Sequence, residues 1–233
     1  MTEINGKVMV IFAHPDDAEF TAGGTIARWT NEGRRVSYVV CTDGSKGAEI
    51  EQLDKEDLVT MRQSEQRQAA AILGVAEVTF LEYPDGELSS NRGFVANLTR
   101  LIRQFRPVTL LTWDPWRPYQ LHTDHRTVGF AALDAVMASG NMRYFPEQLR
   151  NNLEVHQIKE IFLFGTDQPD TWVDISSTFN RKIEAIRQHA SQMTDPDEVI
   201  RHVEEWNSHV GYTQGYSYAE PFKILHPECS ICR

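Results

Sequence analysis

The sequence predicts an α/β fold: an open, doubly wound, mostly parallel sheet of Rossmann-like type with helices on both faces. Short apolar stretches rich in β-branched residues and bounded by turn formers alternate with stretches of helical spacing, the pattern of a parallel sheet covered on two sides. At 233 residues, and taking roughly 150 per domain, the chain is nearer one large domain than two small ones. Hydrophobic residues at 41% and charged residues at 24% lie in the ordinary globular range, which argues against disorder, collagen-like repeats and coiled coil.

Val8 to Ala13 reads as the first buried strand, followed by Pro15, which cannot continue a sheet. Thr25 to Asn31 has helical spacing, and Val36 to Thr42 is the second strand. Leu58 to Leu73, Phe94 to Phe105 and Thr127 to Met137 are the later helices, separated by the strands Val78 to Tyr83 and Val108 to Trp113 and followed by the strand Ile161 to Phe164. Beyond Phe164 the regularity weakens. Thr171 to Ile175 reads as a further strand, and Ser176 to Gln192 and Pro196 to Asn207 as helices, the second with Asp195 as N-cap and Pro196 at its first position. From Gly211 onward Gly, Tyr and Ser suggest a loop-rich end. No linker or repeat interrupts the chain, so residues 1–233 are expected to form one domain.

Lys and Arg number 23 against 33 Asp and Glu, a net charge of −10, which disfavours nucleic acid and anionic membrane surfaces as partners. The first apolar run is far shorter than the ~18 residues of a membrane span and lacks the pattern of a signal peptide, so a cytoplasmic location is expected. Three cysteines, with Cys229 and Cys232 too close to close a useful loop, argue against a disulfide framework. Homo-oligomerisation is left open.

The chemistry collects at two strand ends, where a doubly wound sheet binds its ligands. The first strand runs into His14-Pro15-Asp16-Asp17, then Glu19; the fourth ends in Trp113-Asp114-Pro115-Trp116-Arg117 and is soon followed by His122-Thr123-Asp124-His125-Arg126. Taken alone, the first segment reads as a solvated turn and the second as a helix start. Together they offer a metal set of His14, Asp17 and His125, the three-ligand pattern of a catalytic site with a position for water. Asp16 is then a candidate general base, His122 a donor to a developing oxyanion, and Asp124 the partner orienting His122.

Ala13-His14-Pro15-Asp16-Asp17, Gly23-Gly24-Thr25 and the downstream His-x-Asp-His resemble the LmbE-like/PIG-L family of zinc-dependent N-deacetylases. Arg62 and Glu65 before Ala69 to Val75, and Tyr83-Pro84-Asp85-Gly86, extend the resemblance, which covers about Val8 to Arg126. It implies Zn2+, or another divalent metal such as Fe2+, on His14, Asp17 and His125. It implies Asp16 as base, His122 as the residue polarising the carbonyl or protonating the amine, and Arg62 and Asp85 as holders of sugar hydroxyls. The implied reaction removes an N-acetyl group from a small amino sugar or glucosaminyl conjugate. Two departures stand out: Thr123 where the family usually has Pro, and Ala18 where many members have Glu, here displaced to Glu19.

The competing readings are a 2-His-1-carboxylate Fe(II) oxygenase, which the strand-helix alternation opposes, and a non-catalytic metal-containing module, which the spare Asp and His oppose. Gly23-Gly24 lacks dinucleotide-fingerprint spacing and reads as room for a close helix approach. Thr42 to Gly47 is either a pocket wall or a plain turn, and Trp113, Trp116 and Tyr119 are either a sugar platform or, for Trp113, core. His226, Cys229 and Cys232 form half of a zinc knuckle and read as an untethered tail. His156, His189, His202 and His209 read as solvated surface, and the acidic run Glu49 to Asp57 as a solvated loop.

Overall fold

The computed structural model describes residues 6–47 and 53–227. Its elements, in order, are β1 (Val8–Phe12), α1 (Asp17–Asn31), β2 (Val36–Thr42), α2 (Lys55–Leu73), β3 (Glu77–Tyr83), α3 (Arg92–Phe105), β4 (Thr109–Trp113), α4 (Thr123–Ser139), α5 (Pro146–Arg150), β5 (Glu160–Phe164), β6 (Thr171–Asp174), α6 (Phe179–Ile186), α7 (Pro196–Tyr212) and β7 (Ala219–Leu225), with a 3-10 turn at Ala190–Gln192. The sheet order is β3-β2-β1-β4-β5-β7-β6. Strands β1 to β5 are parallel, while β7 runs antiparallel to both β5 and β6. The sheet is thus largely parallel, and helices cover both of its faces.

The strand order explains where a ligand binds. From β1 the chain steps outward through β2 and β3, then returns to place β4 on the other side of β1. A right-handed crossover therefore puts α1 and α2 on one face and α3 and α4 on the other, and a crevice opens beyond the carboxyl ends of β1 and β4. Every residue of β1, β2 and β4 is buried, which is why these strands read as continuous apolar runs rather than alternating ones.

Two readings of the chain's second half are corrected. The stretch from Gly211 is not loop-rich throughout, because α7 extends to Tyr212 and residues 219–225 form β7. Ser176 to Gln192 is not one helix but α6 followed by the 3-10 turn. Gly24 behaves as expected, since a Cβ there would come within 2.7 Å of Ile175. Cys229 and Cys232, and residues 49–52 of the acidic run, lie outside the described residues; the run's end, from Lys55, is the first turn of α2 with Asp54 as its N-cap. No described helix is long and apolar enough to cross a membrane.

Candidate metal centre

Asp17 opens α1, where a carboxylate also favours the helix dipole, and its side chain folds back on the end of β1. Its Oδ2 accepts the backbone N–H groups of Ala13 (3.0 Å) and His14 (2.9 Å) and the indole N–H of Trp113 (3.0 Å). That leaves Oδ1 facing His125 Nε2 at 3.3 Å. His125 Nε2 in turn lies 3.2 Å from His14 Nδ1, which is 3.7 Å from Asp17 Oδ2. Two imidazole nitrogens and the two Asp17 oxygens, carried by the turn after β1, by α1 and by α4, therefore converge.

Behind the centre, His14 Nε2 lies 3.2 Å from Asp124 Oδ2 and 3.3 Å from Asp85 Oδ1. Ionised carboxylates only accept, so Nε2 carries the proton and Nδ1 turns its lone pair to the centre. Asp85 is ionised, since His14 and the Lys46 N–H overcome the effect of burial and hold its pKa at about 2. Burial would lower the His14 pKa, but hydrogen bonds with Asp124, Asp17 and Asp85 push it up to about 12. Three carboxylates, Asp17, Asp85 and Asp124, thus surround His14 and favour positive charge there.

A four-coordinate metal with bonds of ~2.0–2.1 Å sets its ligand atoms roughly 3.3 Å apart, which fits the separations among His14, Asp17 and His125. Two groups among the described residues offer ligand atoms that all lie within 4.8 Å of one another, His14 with His122 and His125, and His14 with Asp85 and Asp124. The second is the hydrogen-bonded rear of His14. In the first, His122 is the exposed cap residue of α4, stacked on His125 with ring centroids 4.3 Å apart. Burial, followed by the positive charge of His14 and His125, holds its pKa below the ordinary imidazole value. Thr123, at the first position of α4, occupies the site where Pro is favoured in helices, so its presence leaves the cap geometry in place.

The expected contact of Asp124 with His122 is replaced by another, and Asp85 and Arg62, expected to hold sugar hydroxyls, line the cleft while bonding to protein groups. Asp124 does not orient His122: it is fully buried, facing His14 and accepting the N–H groups of Gly86 (2.7 Å) and Leu88 (3.2 Å). Neighbouring helical residues project about 100° apart, so position between two histidines does not make contact with both. Asp85 lines the cleft with Oδ1 facing His14 and Oδ2 accepting the Lys46 N–H at 2.9 Å. Arg62 is 2% exposed and donates Nη1 to the Gly44 carbonyl (2.6 Å) and Nη2 to the Pro15 carbonyl (2.7 Å) and Asp16 (3.2 Å), while its Nε has no hydrogen-bond partner.

Asp16 sits at φ 108°, a conformation strained for a non-glycine residue, and its N–H is held by Gln66 Oε1 at 2.9 Å. Burial pushes its carboxyl up to about 7, with Arg62 pulling the value down and Asp17 adding to the rise.

Sequence reasoning missed Gln66 and Gln192, and misread His189. Gln192 lines the cleft of about 370 Å3 together with Lys46, Gly47 and His122, carried there by the 3-10 turn that Glu65 holds through Ser191. His189 is fully buried against Glu19 at 3.2 Å, not on the surface; its polar sequence neighbours hid that. His156 is half-buried with Nε2 donating to the Pro107 carbonyl, whereas His202 and His209 are exposed as expected. Trp116 and Tyr119 are exposed and do not line the cleft. A cavity of about 340 Å3 at the opposite sheet edge holds Arg35 and Glu77 paired with each other at 3.5 Å and gathers no comparable chemistry.

The sequence profile of the PIG-L family, described as GlcNAc-PI de-N-acetylase, matches residues 9–136. The chain is 34% identical over 226 residues to the diacetylchitobiose deacetylase of Thermococcus kodakarensis, covering 94% of this chain and 83% of that one. It is 28% identical over 190 residues to a probable N-acetyl-α-D-glucosaminyl L-malate deacetylase 2 of Bacillus cereus, covering 79% and 83% of the two chains. The N,N'-diacetylchitobiose deacetylase of Pyrococcus horikoshii, solved with an inhibitor, superposes with a TM-score of 0.91 at 33% identity, covering 95% of this chain and 84% of that one.

Proposed function

The chain belongs to the PIG-L (GlcNAc-PI de-N-acetylase) family, and on that premise we propose that it is a zinc-dependent hydrolase releasing acetate from small, neutral N-acetylglucosamine oligosaccharides of the diacetylchitobiose type. The observation that carries this reading is the convergence of His14 Nδ1 and His125 Nε2, 3.2 Å apart, on the Asp17 carboxylate, Oδ1 at 3.3 Å from His125 and Oδ2 at 3.7 Å from His14, beside a half-buried Asp16. These three residues would hold the metal, with Asp124 and Asp85 fixing the His14 tautomer from behind. When bound there, a divalent cation supplies Lewis-acid activation of water and of the amide carbonyl.

Asp16 takes the proton of the attacking water on a carboxylate oxygen. Arg62, 3.2 Å from that carboxylate, keeps it ionised over a wider pH range. His122, neutral near pH 7 because its pKa is held down, offers a ring N–H to the oxyanion that develops on the carbonyl. The proton gathered by Asp16 is then available to the leaving amine. Gln192 and Lys46 form the wall that meets the sugar.

The test is acetate release from N,N'-diacetylchitobiose before and after dialysis against a chelator, with Zn2+ added back. Activity lost with the metal and recovered with Zn2+ is the expected result; acetate release unaffected by complete metal removal overturns the mechanism. Asp16→Asn should keep its metal and lose kcat on the order of 10²-fold or more. His125→Ala should lose the metal while remaining folded.

A further inference from the structure

Trp113 closes β4 with its indole 7% exposed, a position that by itself describes any core aromatic. Its surroundings are more specific. The indole N–H donates to Asp17 Oδ2 at 3.0 Å, and the ring lies flat on His125, with centroids 3.9 Å apart and planes inclined by 12°. The other face of His125 carries His122, so Trp113, His125 and His122 form one stack. Phe164 meets Trp113 edge-on at 5.1 Å, and Gly165, at φ +65°, leaves room where a Cβ would come within 2.4 Å of the indole. The ring is clamped from below and touches the centre from above.

We propose that Trp113 is a positioning residue that fixes the orientations of two metal ligands, Asp17 and His125, and through the His125 ring that of His122. This rests on the ligand set proposed above. The backbone N–H groups of Ala13 and His14 hold Asp17 Oδ2 from the β1 side alone; the indole N–H is the contact from β4 that stops the carboxylate pivoting and keeps Oδ1 toward His125. A flat stack removes rotation of the imidazole about its own axis, so Nε2 stays aimed between Asp17 and His14. Both restraints cut the ordering that metal binding would otherwise require.

The test separates the two restraints. Trp113→Phe keeps a ring on His125 and removes the N–H; Trp113→Leu removes both. Zn2+ affinity, measured by competition with a chromophoric chelator, should fall about 10- to 100-fold in Trp113→Phe and further in Trp113→Leu. At saturating Zn2+, Trp113→Leu should also lose kcat with KM little changed, because His122 has lost its stack. Co2+ should quench a component of tryptophan emission in the wild-type protein that is missing in Trp113→Phe, a readout independent of turnover. Wild-type Zn2+ affinity in a folded Trp113→Phe, or no difference in Co2+ quenching, overturns the proposal. His125→Ala, run alongside, distinguishes the two levels: metal retained in that variant sinks the ligand set itself, whereas metal lost there but kept in Trp113→Phe sinks the role of Trp113 alone.

Discussion

The guanidinium of Arg62 lies 3.2 Å from Asp16 and opposes the effect of burial on that carboxyl. Removing it leaves burial and the negative Asp17 unopposed, so the Asp16 pKa rises further. A general base works only when deprotonated, and a bound cation favours that form; the acid limb of kcat/KM in the metal-loaded enzyme should therefore lie below pH 7, and in Arg62→Gln it should move to higher pH. A pH series of kcat/KM reads the shift. An unmoved limb with a raised KM for sugars would instead restore the role in sugar binding that the sequence resemblance implies for Arg62. Asp124→Asn should weaken metal binding about 10- to 100-fold without moving that limb, since its carboxylate serves His14. The chemistry-bearing residues His14, Asp16, Asp17 and His125 were legible because they crowd two strand ends. What Asp124, Asp85 and Arg62 touch was not, because spacing along a chain does not say which way a side chain turns once the helix and the neighbouring loop are packed.

Helix α1 carries both Asp16 at its cap and an unusual repair in its middle. The Gly24 and Thr25 N–H groups donate to Glu220 of β7 at 2.9 and 2.7 Å, while Lys182 of α6 donates to the Phe20 carbonyl at 2.9 Å and to Glu220 at 2.7 Å. A fully buried ion pair thus bonds directly to the backbone of the helix. Lys182→Met should destabilise the protein by about 3–5 kcal/mol, because it strands a buried carboxylate. Lys182→Met with Glu220→Gln should cost less, since no charge is left unpaired, although the one amide oxygen replaces only one of the two acceptors, Oε1 and Oε2, that Gly24 and Thr25 use. Urea unfolding measures both, and equal losses would show that the charge is not what matters. Gly24→Val, driven into Ile175, should cost about 1–3 kcal/mol. Gly23-Gly24 was legible as a close approach, but the Lys182–Glu220 pair was not, since its members lie far from the helix in sequence. Strand β7 was hidden by Pro221. It is tolerated because β7 pairs with β6 through residues 219–222 and with β5 only through Lys223 to Leu225, so Pro221 never lies between two strands.

At the scale of the whole molecule the charge is −10, and the cleft does little to offset it. Of the cations that line it, Arg62 is buried on Asp16 and backbone carbonyls, and Lys46 is paired with Glu87 at 3.0 Å. Among the described cleft residues, no Lys or Arg is left unpaired to receive an anionic group on a substrate. The doubly wound order brings the carboxylates of β1, β3 and α4 to the one crevice at the switch point, where a divalent cation offsets part of their charge but projects little beyond the metal ligands. The field met by an approaching substrate is therefore that of the acidic surface, and it extends about 8–10 Å at physiological salt and further at low salt. A neutral N-acetylated disaccharide should show a kcat/KM that hardly changes as ionic strength rises from about 0.01 to 0.15 M, whereas an N-acetylglucosaminide bearing a carboxylate should be turned over poorly at low salt and improve as the repulsion is screened. Steady-state rates on the two substrates across a salt series decide the point. An anionic substrate that is preferred at low salt, and loses its advantage as salt is added, would mean that a cation reaches the cleft from the chain ends or from a second subunit, and that the neutral-sugar assignment is wrong.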